Sequence, residues 1–437
     1  MQKKGRLIRM KSFSESQSHL IKAEKLIPLA SQTFSKSRTQ YSVGISPLFI
    51  DRAKGSFFWD IDGNKYVDMV NALASVTIGH SDDSLNEAII EQLSRGTNFS
   101  LPGELEYEVA SLVNFYMPSI EKMRFGKNGT DATSAAIRLA RAFTGKDHVA
   151  VCGYHGWQDW YIASTTRNKG IPRAVKDFTV KFNFNDINSL YNSFEACGGN
   201  LAAVIMEPMN VEYPKDNFLG KVQEFCNDNG VIFILDETIS GFRFSSGGAQ
   251  KEFNIRPDLT TLGKGIANGF PLSVVGGKAE IMDEMEEIFF SGTFGGELIS
   301  LTAAKFVLDY FKKVDVSTEL ARIGDSICTE VSGIFTDLDL NPFISISGHP
   351  TWKFFNWRDS NSYSSWELKT LFMQEIFQES VFVASTHNVS LSMDQEVQEI
   401  IKVSYRNALE RVSKSIKGNT VRNDLKVPPL KPLFKVR

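Results

Sequence analysis

The sequence has few of the residues that cross-link a chain or hold a metal. Its 437 residues include four cysteines, none of them in a C-x-x-C pair, and six dispersed histidines. Disulfide frameworks need paired cysteines, and zinc sites need ligands at close spacing. We therefore expect reduced thiols, no bound metal and a cytoplasmic location.

An excess of charge and long apolar runs are also missing. Lys and Arg number 48 against 51 Asp and Glu, which leaves a net charge of -3. Nucleic-acid-binding proteins usually carry a basic face, so we expect no nucleic-acid partner. No stretch approaches the roughly 18 apolar residues of a membrane span, and no apolar core follows the basic start MQKKGRLIRMKS. We expect no membrane association and interpret this start as a solvated arm.

Length and apolar content predict a well-filled interior. At roughly 150 residues per domain the chain has room for two or three domains, and 42% of its residues are hydrophobic. Periodicity and turn signals predict the first elements. These are a helix over residues 14–29 that stops at Pro28, a β-hairpin over residues 57–70, and helices over residues 83–95 and 104–116.

From about residue 123, apolar strands alternate with helices. The strand-like runs are MRFG, HVAVC, LAAVIMEP and VIFILDE. Strands that are apolar on both faces are typical of a mostly parallel sheet covered by helices on both sides. New helix and strand patterns after about residue 325 predict a smaller α+β domain.

We predict three parts along the chain. Residues 1–80 form an N-terminal arm, helix and hairpin that pack with the small domain. Residues 81–325 form the large, ligand-binding domain, and residues 326–437 form the C-terminal small domain. The segment 421–437 contains three prolines and is predicted to lie extended on the surface.

Two candidate groups follow early strands of the predicted sheet, at the edge where ligands bind in open α/β proteins. Gly129 and Thr130 open a helix, whose free amides and dipole attract anions; an ordinary helix cap is the alternative. The loop from Tyr154 to Trp157 offers an aromatic face for a planar ring, or its rings belong to the core.

Two further groups follow later strands. Asp236 ends VIFILDE and is a metal ligand, a helix cap or the partner of a buried cation; with no His or Cys beside it in the sequence, we favour a cationic organic ligand. Lys264 stands between Gly263 and Gly265, where the backbone permits close approach. It is either a nucleophile or a solvated surface lysine. A phosphate cradle, an aromatic face, a carboxylate and an amine are together what pyridoxal phosphate requires.

With these motifs the sequence resembles the class III aminotransferases, a fold type I family of pyridoxal-phosphate enzymes, and most closely their glutamate-1-semialdehyde 2,1-aminomutase branch. The resemblance runs from about residue 31 to about residue 300 and is strongest in LDETISGFR and GGAQKEFNIRPDLTTLGKGIANGFPLSVVGG. It implies an α/β fold with a large domain, whose mostly parallel sheet is covered by helices, and a smaller α+β domain.

The resemblance implies a role for each matching residue. Lys264 would bond to the cofactor aldehyde and then move protons between substrate and cofactor. Asp236 would pair with the ring nitrogen and keep it protonated. The other cofactor residues are Gly129 and Thr130 at the phosphate, Tyr154 stacked on the ring, Glu207 near the phenolic oxygen, and Thr293 at the phosphate of the neighbouring subunit. The role of Thr293 implies a homodimer with shared sites.

On the substrate side the sequence departs from the aminomutase. Where that branch has Tyr-His-Gly-His, Trp157 ends the motif here, and Glu297 follows Gly-Thr-Phe-Gly-Gly. A valine that follows the Asp-Glu pair in many relatives is Thr238. Ser35 and Arg38 fall where the aminomutase binds its substrate, although an ordinary surface arginine is the alternative for Arg38.

We therefore expect an aminotransferase that moves an amino group from a donor such as glutamate to a small keto or aldehyde acceptor. The added Trp157 and Glu297 suit a sugar-derived acceptor. One alternative is an aminomutase, in which a single substrate gives and receives the nitrogen. Another is a catalytically silent relative that acts as a binding protein, which the retention of Lys264, Asp236 and Thr130 argues against.

Overall fold

The computed structural model describes residues 11–432, in which strands and helices alternate over most of the length. The strands are β1 (Ile50–Lys54), β2 (Phe57–Asp60), β3 (Lys65–Asp68), β4 (Lys122–Gly126), β5 (His148–Cys152), β6 (Thr179–Lys181), β7 (Leu201–Met206), β8 (Ile232–Glu237), β9 (Leu259–Leu262), β10 (Ser273–Gly277), β11 (Ile344–His349), β12 (Trp352–Trp357), β13 (Val381–Phe382) and β14 (Thr386–Asn388).

The α-helices are α1 (Ser14–Ala23), α2 (Asn71–Ala74), α3 (Asp83–Arg95), α4 (Glu104–Tyr116), α5 (Gly129–Thr144), α6 (Asp159–Ile162), α7 (Arg173–Asp177), α8 (Ile187–Ala196), α9 (Phe218–Asn229), α10 (Gly248–Glu252), α11 (Ala279–Met282), α12 (Leu298–Phe311), α13 (Val316–Asp337), α14 (Ser365–Gln378), α15 (Gln395–Lys417) and α16 (Val421–Asp424). Short 3-10 helices cover Pro28–Ala30, Phe34–Lys36, Lys264–Ala267 and Asp283–Glu286.

The large sheet has seven strands in the order β4-β10-β9-β8-β7-β5-β6. Its pairs are parallel except at β10, which runs antiparallel to both β4 and β9. The predicted mostly parallel sheet is confirmed. The carboxyl ends of β4, β5, β7, β8 and β9 therefore meet at one edge, where ligands bind in such sheets.

Helices cover both faces of this sheet because its strands are apolar on both sides. Along β7, Ala203 and Ile205 pack in the cluster that contains α5. Val204 and Met206 point the other way, into the cluster that contains α9. All four side chains are fully buried, as expected for a parallel strand between two helical layers.

The N-terminal hairpin is joined to the C-terminal part of the chain. Strands β2 and β3 form the predicted hairpin, and β3 pairs in parallel with β13, with Val67 opposite Val381. A second small sheet has the order β11-β12-β14. The predicted boundary between residues 325 and 326 falls inside helix α13. This helix begins after its cap Asp315 and continues to Asp337. The division into three parts stays a prediction.

Helices α3 and α4 cover the predicted residues 83–95 and 104–116, whereas the first helix is shorter than predicted. Helix α1 ends at Ala23 instead of running to Pro28. Beyond it, Leu26 is 87% exposed, so no apolar contact stabilises another turn.

Both ends of the described chain are held more firmly than predicted. Lys11 Nζ donates to Phe377 O and Ser380 Oγ, each at 2.8 Å, so the end of the predicted solvated arm is anchored; residues 1–10 lie outside the described residues. The predicted extended tail begins with helix α16, and the Leu430 amide donates to Thr370 Oγ1 at 2.9 Å. Burial of Leu430 (9% exposed) explains this docking. Residues 433–437 lie outside the described residues.

The described residues include no helix with the length and apolarity that crossing a membrane requires. Within the same residues, no group of three or more His, Cys, Asp or Glu side chains is placed to hold a metal ion. All four cysteines are buried and unpaired.

Candidate active site

A cavity of about 340 Å³ opens at the edge where the strands of the large sheet end. Loops after β4, β5, β7, β8 and β9 contribute its walls, so residues far apart in the sequence meet there. Many of the predicted site residues line it, namely Gly129, Thr130, Tyr154, Trp157, Glu207, Asp236 and Lys264.

Lys264 enters the cavity from a strained turn after β9. Its φ is +41°, a conformation that costs a non-glycine residue energy and persists at functional sites. A Cβ on Gly265 would lie 2.6 Å from Thr77 Oγ1, so this glycine permits the close approach expected from the sequence. The Lys264 amine makes no ion pair and no hydrogen bond with residues 11–432. Burial lowers its pKa, although the charges of Asp236 and Glu207 oppose the shift.

Asp236 ends β8 with its carboxylate buried beneath the cavity. Oδ1 accepts hydrogen bonds from Thr238 Oγ1 at 2.6 Å, Thr261 Oγ1 at 2.8 Å and Thr238 N at 3.1 Å. Oδ2 lies 2.8 Å from His155 Nδ1. Burial raises the pKa of Asp236, but the hydrogen bond and charge of His155 and the threonine donors outweigh it, and the pKa lies below its ordinary value.

His155 is the main site residue that sequence reasoning missed. Its ring is 1% exposed, and its Nε2 lies 3.1 Å from Cys152 O while Nδ1 faces Asp236. Each of these contacts is a hydrogen bond when the ring nitrogen concerned carries a proton, because a carboxylate and a carbonyl oxygen only accept. The available signal was a histidine inside the aromatic loop, which we interpreted only as a stacking face.

The amino end of α5 forms the anion cradle. Asp131 Oδ2 accepts from the amides of Lys127 at 3.0 Å and Asn128 at 2.8 Å, which fixes the entry to the helix. The amides of Gly129 and Thr130 belong to the first turn, which has no intrahelical acceptors. Gly156 lies against Thr130, since a Cβ at this position would clash with Thr130 Oγ1. This tightly packed helix start fits a phosphate group.

A methyl group at Gly156 should disrupt this cradle. We expect Gly156→Ala to weaken binding of pyridoxal phosphate by about tenfold or more, because the new Cβ displaces the Thr130 hydroxyl. Gly170→Ala is the matched control: Gly156 (φ +104°) and Gly170 (φ +89°) share a left-handed backbone, but no atom lies within 4 Å of a Cβ at Gly170. Titration of each apoprotein with the cofactor measures the effect. Equal losses in both variants would assign the effect to backbone strain instead of the clash.

Tyr154 and Glu207 lie next to each other at the side of the cavity. The Tyr154 amide donates to Glu207 Oε2 at 3.0 Å, and Asn210 Nδ2 donates to the same oxygen at 3.1 Å. The Tyr154 ring is 45% exposed and faces the cavity. Burial raises the pKa of Glu207, and the charge of Asp236 raises it further.

Thr293 and Glu297 lie outside this cavity. Thr293 is exposed and lines a neighbouring cavity of about 390 Å³, which shares Lys127 with the first. Glu297 caps α12 through the amides of Ile299 and Ser300. It also accepts from Lys127 Nζ at 3.1 Å. Glu297 therefore holds a wall residue of the cavity instead of facing the cavity itself.

Ser35 and Arg38 are not brought to the cavity within one chain. Ser35 lines a separate cavity of about 320 Å³. Arg38 is exposed and forms an ion pair with Glu24. Their assignment as substrate residues stays a prediction.

One cavity thus combines an anion cradle, an aromatic ring, a buried carboxylate and an unpaired amine, at the ligand-binding edge of a doubly covered parallel sheet. These residues fit pyridoxal phosphate: Gly129 and Thr130 would hold its phosphate, Asp236 would face its ring nitrogen, and Lys264 would meet its aldehyde. The fold and the site define a pyridoxal-phosphate-dependent enzyme.

Comparison with known proteins gives the family. The model of the class-III aminotransferases matches residues 40–339, and the chain belongs to this family. A glutamate-1-semialdehyde 2,1-aminomutase 2 of Halalkalibacterium halodurans is 34% identical over 365 residues, which cover 79% of this chain and 84% of the relative.

Solved structures share the fold. An omega-transaminase from Sphaerobacter thermophilus matches with a TM-score of 0.83 and 25% identity, over 91% of this chain and 97% of that one. A glutamate-1-semialdehyde aminomutase from Pseudomonas aeruginosa PAO1 matches with a TM-score of 0.78 and 20% identity, over 91% and 95%. The predicted fold type I architecture, family and cofactor are confirmed.

Proposed function

We propose that this enzyme is an aminotransferase that moves an amino group from a donor such as glutamate to a small keto or aldehyde acceptor. The observation that carries this proposal is that Lys264 and Asp236 line one cavity with the cradle at Gly129 and Thr130. A silent binding protein has no physical need for a buried amine in the same cavity as a carboxylate with four hydrogen-bond donors.

The side chains divide the chemistry between them. When bound, pyridoxal phosphate supplies a carbon that carries the amino group and a ring that accepts an electron pair. The ionised Asp236 carboxylate holds a proton on the ring nitrogen through its charge. Because burial lowers its pKa, the Lys264 amine is neutral over more of the pH range, and its Nζ accepts the proton from the substrate carbon.

The rim of the cavity supports the choice of acceptor. Trp157 is 66% exposed, and its backbone amide donates to Thr130 Oγ1 at 3.3 Å, so the backbone that carries the indole is held beside the cradle. An exposed aromatic face of this kind suits a sugar-derived carbonyl compound, which stacks its ring and leaves its hydroxyl groups in water.

An aminomutase is the second candidate. It is favoured by the names of the relatives, since enzymes from Halalkalibacterium and other bacteria that are 34–37% identical are named glutamate-1-semialdehyde 2,1-aminomutase. In that reaction no separate donor is required. The two candidates therefore differ in their response to glutamate alone.

Absorbance spectroscopy of the purified enzyme tests this difference. We expect L-glutamate to bleach the visible band of the lysine-bound cofactor and to release one equivalent of 2-oxoglutarate per site. If the visible band does not change with glutamate but changes with glutamate 1-semialdehyde, the result would support the aminomutase. If glutamate bleaches the band but no sugar carbonyl is aminated afterwards, the acceptor class is wrong and the donor half-reaction stands.

We also propose a cytoplasmic homodimer in which Thr293 reaches the partner's cofactor phosphate. Support comes from the exposed position of Thr293, beside the cavity wall and outside its own cofactor cavity. Light scattering at micromolar concentration tests the assembly: a monomer that retains full activity would contradict the shared site.

A further inference from the structure

Thr238 follows β8 directly and touches Asp236 with two donors. Its Oγ1 lies 2.6 Å and its amide 3.1 Å from Asp236 Oδ1. Asp236 Oδ1 accepts a third hydrogen bond from Thr261 Oγ1 at 2.8 Å. The register of the sheet places Thr261 directly opposite Asp236. The shortest hydrogen bond to the carboxylate therefore comes from a side chain that also lines the cavity.

The methyl group of Thr238 lies between two glycines of the site. Its Cγ2 would be 2.9 Å from a Cβ on Gly129 and 3.1 Å from a Cβ on Gly263. Gly129 begins the phosphate cradle, and Gly263 precedes Lys264. One side chain thus separates the cradle from the lysine turn with its methyl group and holds the carboxylate with its hydroxyl group.

We propose that Thr238 is a positioning residue for the cofactor, whose hydroxyl group keeps the Asp236 carboxylate ionised and aimed at the ring nitrogen. This inference rests on Asp236 as the partner of the ring nitrogen and does not depend on which amino donor or acceptor the enzyme uses.

The physical reason is the balance of effects at Asp236. Burial favours the neutral acid, and hydrogen-bond donors favour the carboxylate. Removing the closest threonine donor moves this balance toward the neutral acid, which no longer favours a protonated ring nitrogen. Because valine has nearly the same shape as threonine, Thr238→Val removes the donor and retains the contacts with Gly129 and Gly263.

Cofactor binding by three variants of the full chain tests this role without any substrate. We expect Thr238→Val to raise the dissociation constant for pyridoxal phosphate about tenfold at neutral pH. The loss of affinity at acid pH should begin at a higher pH than in the wild type, because the pKa of Asp236 rises. Thr261→Val, which removes the other side-chain donor from the same oxygen, should shift both quantities in the same direction.

Thr238→Ser separates the hydroxyl group from the methyl group. The acid limb is the part of the pH profile in which affinity for the cofactor falls at acid pH. We expect Thr238→Ser to retain the wild-type acid limb and to lose thermal stability, since only the packing against the two glycines is removed. Equal shifts of the acid limb in Thr238→Val and Thr238→Ser would overturn the proposal and leave a packing role. Wild-type binding in Thr238→Val alongside a shift in Thr261→Val would overturn it as well. If Thr238→Val does not fold, Thr238→Ala takes its place, and equal shifts of the acid limb in Thr238→Ala and Thr238→Ser would overturn the proposal.

Discussion

Lys264→Ala is expected to lower kcat by at least about 10³-fold, because it removes both the amine that bonds to the cofactor and the base that moves the proton. The cradle at Gly129 and Thr130 does not depend on this side chain, so the variant should still bind pyridoxal phosphate noncovalently. The visible absorbance band of the lysine-bound cofactor should be absent. The absorbance of the cofactor bound to Lys264→Ala should instead match that of free pyridoxal phosphate.

Borohydride reduction provides the direct measurement. In the wild type, the reduced adduct should appear by mass spectrometry on the peptide that contains Lys264, and in Lys264→Ala it should appear on no peptide. Lys215→Ala is the control, since Lys215 is 64% exposed in its side chain and its ion pair is with Glu212 at the surface. A stoichiometric adduct on another lysine of Lys264→Ala would refute the assignment of the nucleophile.

The sequence was sufficient to predict the large sheet and the residues at its edge. Runs such as VIFILDE are apolar at every position, and only a strand covered on both faces buries such a run. The glycines beside Thr130 and Lys264 marked turns at the carboxyl ends of strands. Such local signals are enough to bring Thr130 and Lys264 to the same edge of the sheet, where both line the cavity.

The partners of Asp236 could not be predicted in the same way. Thr261 meets Asp236 only because β8 and β9 are neighbours with this register, and strand order is not visible in a single sequence. His155 reaches Asp236 from the loop after β5, 81 positions away. Contacts of this kind depend on tertiary structure, whereas caps and turns depend on neighbours in the chain.

The partner that a charged side chain meets at the surface cannot be predicted from a single sequence. Arg38 aligned with a substrate-binding arginine, but in one chain it pairs with Glu24 at the surface. Glu297 is predicted to bind substrate, and within the described chain its carboxylate accepts from the first turn of α12 and pairs with Lys127. Residue type and spacing identify what a side chain can bind, and packing decides which partner it meets.

Asp236→Asn is expected to lower kcat by about 10²- to 10³-fold, the usual loss when a fixed charge that stabilises the transition state is removed. An amide is neutral, so it cannot balance the charge of a protonated ring nitrogen. The variant also leaves His155 without its carboxylate partner at 2.8 Å. We expect cofactor binding to weaken and the pH range of activity to contract.

Glu237→Gln is the matched comparison, because Glu237 is the next residue of the same strand and points away from the cavity. Its carboxylate accepts from the amides of Ala249 at 2.5 Å and Gln250 at 3.1 Å, and from Ser240 Oγ at 3.0 Å. An amide at this position places a donor against these donors, which should cost about 1–3 kcal/mol of folding stability. Since Glu237 itself does not line the cavity, kcat should stay within a few-fold of the wild type. Steady-state kinetics and thermal unfolding of both variants separate the two roles, and a similar loss of kcat in both would mean that the strand end acts as a structural unit and not through the charge of Asp236.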